Sequence, residues 1–179
     1  MDRRLLTEQI PAMRRYARAL TGDSWAADDL VQDALERACV KWRLWLAGSD
    51  LRAWLFTLMH NLYISQVRQR LRQGPAPLEL DAVEQEPAAP TGGGDEALDL
   101  QRCLLQLPHE QRVTLLLVTL EGMTYSETAR ITGVPVGTVM SRLSRARSRM
   151  QELMEVSPRP TTSTSGSAVA GHGTLRRLK

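Results

Sequence analysis

Aromatic residues make up only 4% of this chain, with a single phenylalanine. Leu, Ala, Arg and Gln recur where a sheet protein would show Val, Ile, Thr and Tyr, so helices are expected nearly throughout and the fold class is read as all-α. No run of about 18 apolar residues is present to cross a bilayer. Residues 1–9 are polar and charged, with no apolar signal segment after them. The expectation is a cytoplasmic protein without membrane insertion. The two cysteines, Cys39 and Cys103, stand far apart in apolar helical stretches, which reads as two small core residues rather than a disulfide or metal site. His60, His109 and His172 show no ligand spacing, and no Gly-rich phosphate loop or nucleophile motif occurs. These absences predict no cofactor, no metal and no catalytic centre.

What is present is strongly segregated charge. The net charge is only +3, yet residues 73–101 contain no Lys or Arg while Glu79, Asp81, Glu84, Glu86, Asp95, Glu96 and Asp99 all fall there. Residues 134–150 show the reverse, with Arg142, Arg145, Arg147 and Arg149 and no acid. Gly74, Pro75, Pro77, Pro87, Pro90 and the Gly92-Gly93-Gly94 run cannot continue a helix, so residues 74–95 are read as a flexible acidic linker. It divides the chain into helical domains at 1–73 and 96–155, and the Ser/Thr/Gly/Pro-rich residues 156–179 are expected to be a disordered tail.

In the first domain a helix is expected over residues 5–20, with Gly22 suited to the left-handed position that ends it. Asp23 or Ser24 then caps a second helix whose apolar stripe is Ala27, Val31, Leu35 and Ala38, with Asp28, Asp29, Asp33 and Glu36 on its other faces. A third helix over residues 51–71 turns Leu51, Leu55, Leu58 and Leu62 inward and ends in Arg68, Arg70 and Arg72. Three helices make a bundle.

In the second domain Leu107-Pro108 starts a helix carrying Val113, Leu116, Leu117 and Leu120 inward, and Gly122 ends it. Thr124 and Glu127 have capping-box spacing, and Gly133-Val134-Pro135 stops one helix and starts another, with Pro135 read as its first residue. In that last helix Val136, Val139, Leu143, Ala146 and Met150 share a packing face, while Ser141, Arg142, Ser144, Arg145 and Arg149 lie elsewhere. Arg147, four residues after Leu143, is placed near the packing face. Such a helix after a tight turn can lie in a DNA major groove. The plainer reading is a solvated basic helix.

The run Gly133 to Arg147, with Leu107-Pro108, Gln111-Arg112, Leu120-Glu121-Gly122-Met123-Thr124-Tyr125, Glu127 and Ala129, resembles region 4 of extracytoplasmic-function (ECF) sigma factors. Asp28-Asp29-Leu30-Val31-Gln32-Asp33 resembles the region 2 segment of that family that docks on the polymerase clamp, and Leu51-Arg52-Ala53-Trp54-Leu55-Phe56 with Asn61 and Arg68 resembles its promoter-melting segment. The likeness covers about residues 5–155.

The resemblance implies a factor that brings core RNA polymerase to promoters and assists DNA opening. Asp28, Asp29, Gln32 and Asp33 would then meet the β′ clamp, with Asp28 and Asp29 also favoured by the positive end of their helix. Asn61 and Arg68 would serve the −10 element, and Thr138, Met140, Ser141, Arg142, Ser144, Arg145 and Arg149 the −35 element. The β flap, promoter DNA and an anti-sigma factor complete the implied partners. The plainer alternatives are acids that only favour a helix, a surface Asn, and a linker that is a simple tether. Trp42, Trp45 and Trp54 could stack on bases or pack internally, with Trp54 read as core. Ser65 stands where the family often has Asp, and Met140 where it often has a basic residue, which bears on the promoter sequence read. The alternative function is a free-standing helix-turn-helix regulator acting without polymerase.

Overall fold

Local stops set the layout. The computed structural model describes residues 3–42, 50–73 and 95–156. Among them are seven helices: α1 Arg3–Thr21, α2 Ser24–Lys41, α3 Leu51–Gln73, α4 Asp95–Gln106, α5 His109–Thr119, α6 Tyr125–Thr132 and α7 Val136–Val156. Gly22, with φ 76°, closes α1 by donating to the Arg18 carbonyl at 2.9 Å. Asp23 then accepts from the Trp25 and Ala26 amides at 3.2 and 2.9 Å, which makes it the cap of α2. Asp50 does the same for α3, accepting from the Ala53 amide at 3.1 Å. Of the linker expected at 74–95 and the tail expected at 156–179, residues 74–94 and 157–179 lie outside the described residues, as does Trp45, while Asp95 opens α4 and Val156 closes α7.

The helices α1, α2 and α3 pack as the expected bundle. Tyr16 and Phe56 sit at its centre, both fully buried, their rings edge-on at 5.1 Å and 71°. The inward stripe of α2 is broader than periodicity suggested. Leu30 and Ala34 are buried beside Ala27, Val31 and Ala38, while Leu35 is only half-buried, because α1 and α3 grip α2 from two sides. In α3, Phe56, Met59 and Tyr63 join Leu55, Leu58 and Leu62 in the core and Leu51 stays half-buried.

The second half holds one helix that the periodicity did not single out, α4, ahead of the expected α5, α6 and α7. Pro108 and Pro135 each sit one position before the first residue of α5 and α7, so Pro135 caps α7 rather than opening it. Its carbonyl takes the Thr138 and Val139 amides at 2.9 and 3.1 Å. The two halves do not stand apart. α1 packs on α4 and α5, α3 packs on α6, and the buried apolar residues of both halves form one continuous cluster. Cys103 is buried in it as expected, but Cys39 is exposed on the outer side of α2. No described helix is long and apolar enough to cross a membrane.

Candidate nucleic-acid interface

The capping box that the spacing implied is formed. Thr124 Oγ1 accepts from the Glu127 amide at 3.2 Å, and the Glu127 carboxylate accepts from the Thr124 amide at 2.7 Å. Those bonds to Thr124 hold the Glu127 carboxyl below its ordinary range. Gly133, at φ 68°, ends α6, and the Val134 amide reaches back to the Ala129 carbonyl at 3.2 Å. The turn is therefore fixed at both ends, and α7 leaves it at a set angle.

On α7 Val139, Leu143, Ala146 and Met150 are buried, whereas Val136 is 40% exposed and lies outside the packing face predicted for it. Val136 is the first residue of α7. Met140, Ser141, Ser144, Arg145 and Arg149 are exposed and Thr138 is half-buried. Arg142 is held: its guanidinium donates to Glu110 of α5 at 2.6 Å. Arg149 pairs with Glu152 one turn on, at 3.0 Å. Arg147 is exposed, contrary to its expected place near the core, and borders a shallow groove with Tyr125, Met140 and Ser144. At 100° per residue its side chain projects past the edge of the buried stripe.

On α2 Asp28, Asp29 and Gln32 are exposed, and Asp33 is half-buried. Asp28 pairs loosely with Arg14 at 3.4 Å, and Gln32 donates to Glu36 at 3.1 Å. Because α2 begins at Ser24, Asp28 and Asp29 lie beyond its first turn, and Asp23 takes the place at the positive helix end expected for them. On α3 Asn61, Ser65, Arg68 and Arg72 are all exposed at helical spacing, so Asn61 and Arg68 share a solvent face. Trp54 is half-buried against the core, its ring edge-on to Trp42 at 6.4 Å.

A polar seam between the halves was not legible in advance. The Glu121 carboxylate is fully buried, yet Arg15 of α1 donates to its two oxygens at 3.0 and 3.1 Å. Arg52 of α3 reaches the same carboxylate at 2.6 Å and the Glu121 carbonyl at 2.8 Å, while lying 5.7 Å from the centre of the Phe56 ring. Arg112 of α5 donates to the Leu20 carbonyl at 2.8 Å and to the Leu105 and Leu107 carbonyls at 2.7 and 3.0 Å. Burial lowers the Arg112 pKa, an effect that nearby Tyr63 opposes. Burial pushes the Tyr16 hydroxyl well above the usual phenol range, with Tyr63 and Glu121 adding to it. His60, beside Asn61, is lowered to about 4 by burial and then by the Arg142 charge.

Residues 6–60 match the family described as the sigma2 domain of PhyR, and residues 97–150 match sigma-70 region 4. The ECF RNA polymerase sigma factor EcfG of Rhodopseudomonas palustris is 37% identical over 150 residues, covering 82% of this chain and 81% of that protein. SigM of Mycobacterium tuberculosis, also an ECF sigma factor, is 34% identical over 143 residues, covering 79% of this chain and 71% of that one. The sigma factor RpoE of Bartonella quintana, solved in complex with the anti-sigma factor NepR, superposes with a TM-score of 0.73 at 37% identity. That superposition spans 87% of this chain and 98% of RpoE. With both domain matches in chain order and relatives aligned across most of its length, the chain belongs to the ECF RNA polymerase sigma factor family.

Proposed function

We propose that this chain carries core RNA polymerase to promoters through three surfaces, one for the polymerase and two for DNA. Asp28, Asp29 and Gln32, with the half-buried Asp33, form the clamp-binding face of α2. Asn61 and Arg68 on α3 serve the −10 element. Thr138, Met140, Ser141, Arg142, Ser144, Arg145 and Arg149 serve the −35 element, with Ser141 and Ser144 nearer base edges and the arginines on phosphates.

The observation that carries this reading is the opposite charge of two exposed helical faces in one chain, acidic on α2 and basic on α7. A basic protein surface and a phosphate backbone are the complementary partners. A free-standing operator-binding regulator would need the second face but not the first. The RpoE relative was captured with an anti-sigma factor, and we extend the same kind of partner to this chain.

Run-off transcription with purified core polymerase on genomic fragments tests the reading. Discrete transcripts that require the added protein are the expected result. Failure to bind core, combined with retained DNA binding, would return the regulator.

A further inference from the structure

We infer that Trp25, seconded by Val40, is the apolar anchor of the polymerase-binding face of α2, holding the bound partner while the acids between them draw it in. The inference rests on the reading of α2 as that face, given above.

Trp25 and Val40 are the two most exposed large apolar side chains among the described residues, at 83% and 84%. The other described tryptophans, Trp42 and Trp54, are half-buried. No loose helix end accounts for Trp25. Its amide donates to the Asp23 carboxylate at 3.2 Å, the Ala27 amide donates to the Asp23 carbonyl at 3.0 Å, and the Ala27 side chain is fully buried. The first turn of α2 is thus fixed, and it aims the indole away from the core. Trp25, Asp29, Gln32, Glu36 and Cys39 follow one another at alternating spacings of four and three, and all five are exposed. Val40 lies beside the last of them, a rise of about 22 Å from Trp25. The row runs straight along the outer side of α2, opposite the buried Ala27, Ala34 and Ala38. A single exposed apolar side chain is ordinary; two that close the ends of one acidic row define a face.

The chemistry of the row narrows what can cover it. Spacing that alternates four and three is the pattern by which one helix lies along another. A second copy of this chain is disfavoured by charge: paired antiparallel, Asp29 meets Glu36, and paired parallel, each acid meets itself. The same acids repel a phosphate backbone. The occupant that fits is a helix of core polymerase with cations at its middle, set against Asp29 and Glu36, and an apolar or guanidinium group over the indole. Tryptophan offers the best aromatic face to a guanidinium, and it covers a large area with only two rotatable side-chain bonds. Acids on an open surface speed encounter and are screened by salt, whereas an indole enclosed at the interface slows release. The two contributions therefore fall on different rate constants.

The test is the kinetics of the full chain binding purified core polymerase, measured at several salt concentrations. Trp25→Ala should raise the dissociation rate about tenfold with little change in association, and Val40→Ala about threefold. Trp25→Phe, which keeps a ring, should recover much of the loss. Neither truncation removes a buried group, so both variants should keep the wild-type CD signal and unfolding midpoint. Asp29→Lys should act on the other rate, slowing association and flattening its salt dependence. Maleimide labelling gives a second readout: Cys39, exposed while Cys103 is buried, should react in the free chain and be shielded in the holoenzyme. Dissociation of Trp25→Ala within twofold of wild type, with Asp29→Lys impaired, sinks the anchor alone. Wild-type binding by both variants, with Cys39 still reactive in the holoenzyme, sinks the reading of α2 beneath it. A dimer of the free wild-type chain in sedimentation, dissolved by Trp25→Ala, would give the row to a second copy and overturn the inference.

Discussion

The helices α2 and α7 are built alike and charged oppositely. Each buries a stripe that includes alanine, Ala27, Ala34 and Ala38 in one and Ala146 in the other, and turns its polar side to solvent. They differ in how their charges are held. Among the described residues the acids of α2 make one loose ion pair, Asp28 with Arg14 at 3.4 Å, whereas Arg142 of α7 is gripped by Glu110 of α5 at 2.6 Å. The face proposed for polymerase thus carries the looser ion pair, and the face proposed for DNA the tighter one.

The strongest way to break the comparison is to remove what positions each face. Leu143→Ala and Leu30→Ala each delete a buried side chain, and each should cost about 2–5 kcal/mol in chemical denaturation. Should the two halves unfold as one cooperative unit, as their continuous core implies, either change will lower a single shared transition.

Acid provides a second probe, aimed at the burial of His60 on α3. His60 has a folded-state pKa of about 4 against an ordinary 6.5, lowered by burial and by Arg142 of α7, itself paired with Glu110 of α5. Between those values the unfolded chain takes up a proton that the folded chain refuses. Its contribution is fully present above pH 6.5 and is lost as pH falls toward 4, with a limit on the order of 3 kcal/mol. His60→Gln should flatten that part of the stability profile, and an ordinary His60 titration by NMR would show that the imidazole is not buried.

Asp29→Lys sharpens the contrast from the side of α2. Core polymerase affinity should fall about tenfold, equivalent to about 1.4 kcal/mol, with an unchanged helical CD signal. Unaltered affinity would take Asp29 out of the interface. On α7 the matching change is Arg145→Ala, expected to weaken promoter binding alike for all sequences and to reduce the salt slope by about one unit. Altering Ser144 should instead change preference at particular −35 positions, by about 1–3 kcal/mol. Equal salt slopes for wild type and Arg145→Ala would remove Arg145 from the phosphate contacts. The smallest effect is expected at Arg147, whose exposed side chain should make Arg147→Ala neutral to stability within about 0.5 kcal/mol.

Much of this architecture was legible because it is local. The cap at Asp23, the turn at Gly22, the Thr124–Glu127 box and the stop at Gly133 all involve residues within a few positions of one another, and all are formed. Partial stripes were harder to read. Leu30 and Ala34 escaped the α2 pattern because a helix packed from two sides buries more than one line of residues. Arg147 and Val136 erred in the other direction, since both border the stripe at an angle where one turn decides exposure. The seam was beyond reach. Glu121 stood within a recognised motif, but nothing local indicates that its acceptors would meet arginines 106 and 69 positions away.

Gly22 ties these scales together in the manner of a mechanical tolerance. Its positive φ could be tolerated by an asparagine, but a Cβ there would meet the tip of the Leu105 side chain at 2.5 Å. A methyl group there must either swing Leu105 out of its seat or push α4 outward. The second outcome would carry the whole second domain with it. Glu121 bonds its arginines at 2.6 to 3.3 Å, so a displacement of about 1 Å exceeds the slack those bonds possess. A turn residue that carries no charge of its own therefore bears, through Leu105, on the clearance at which those charges engage.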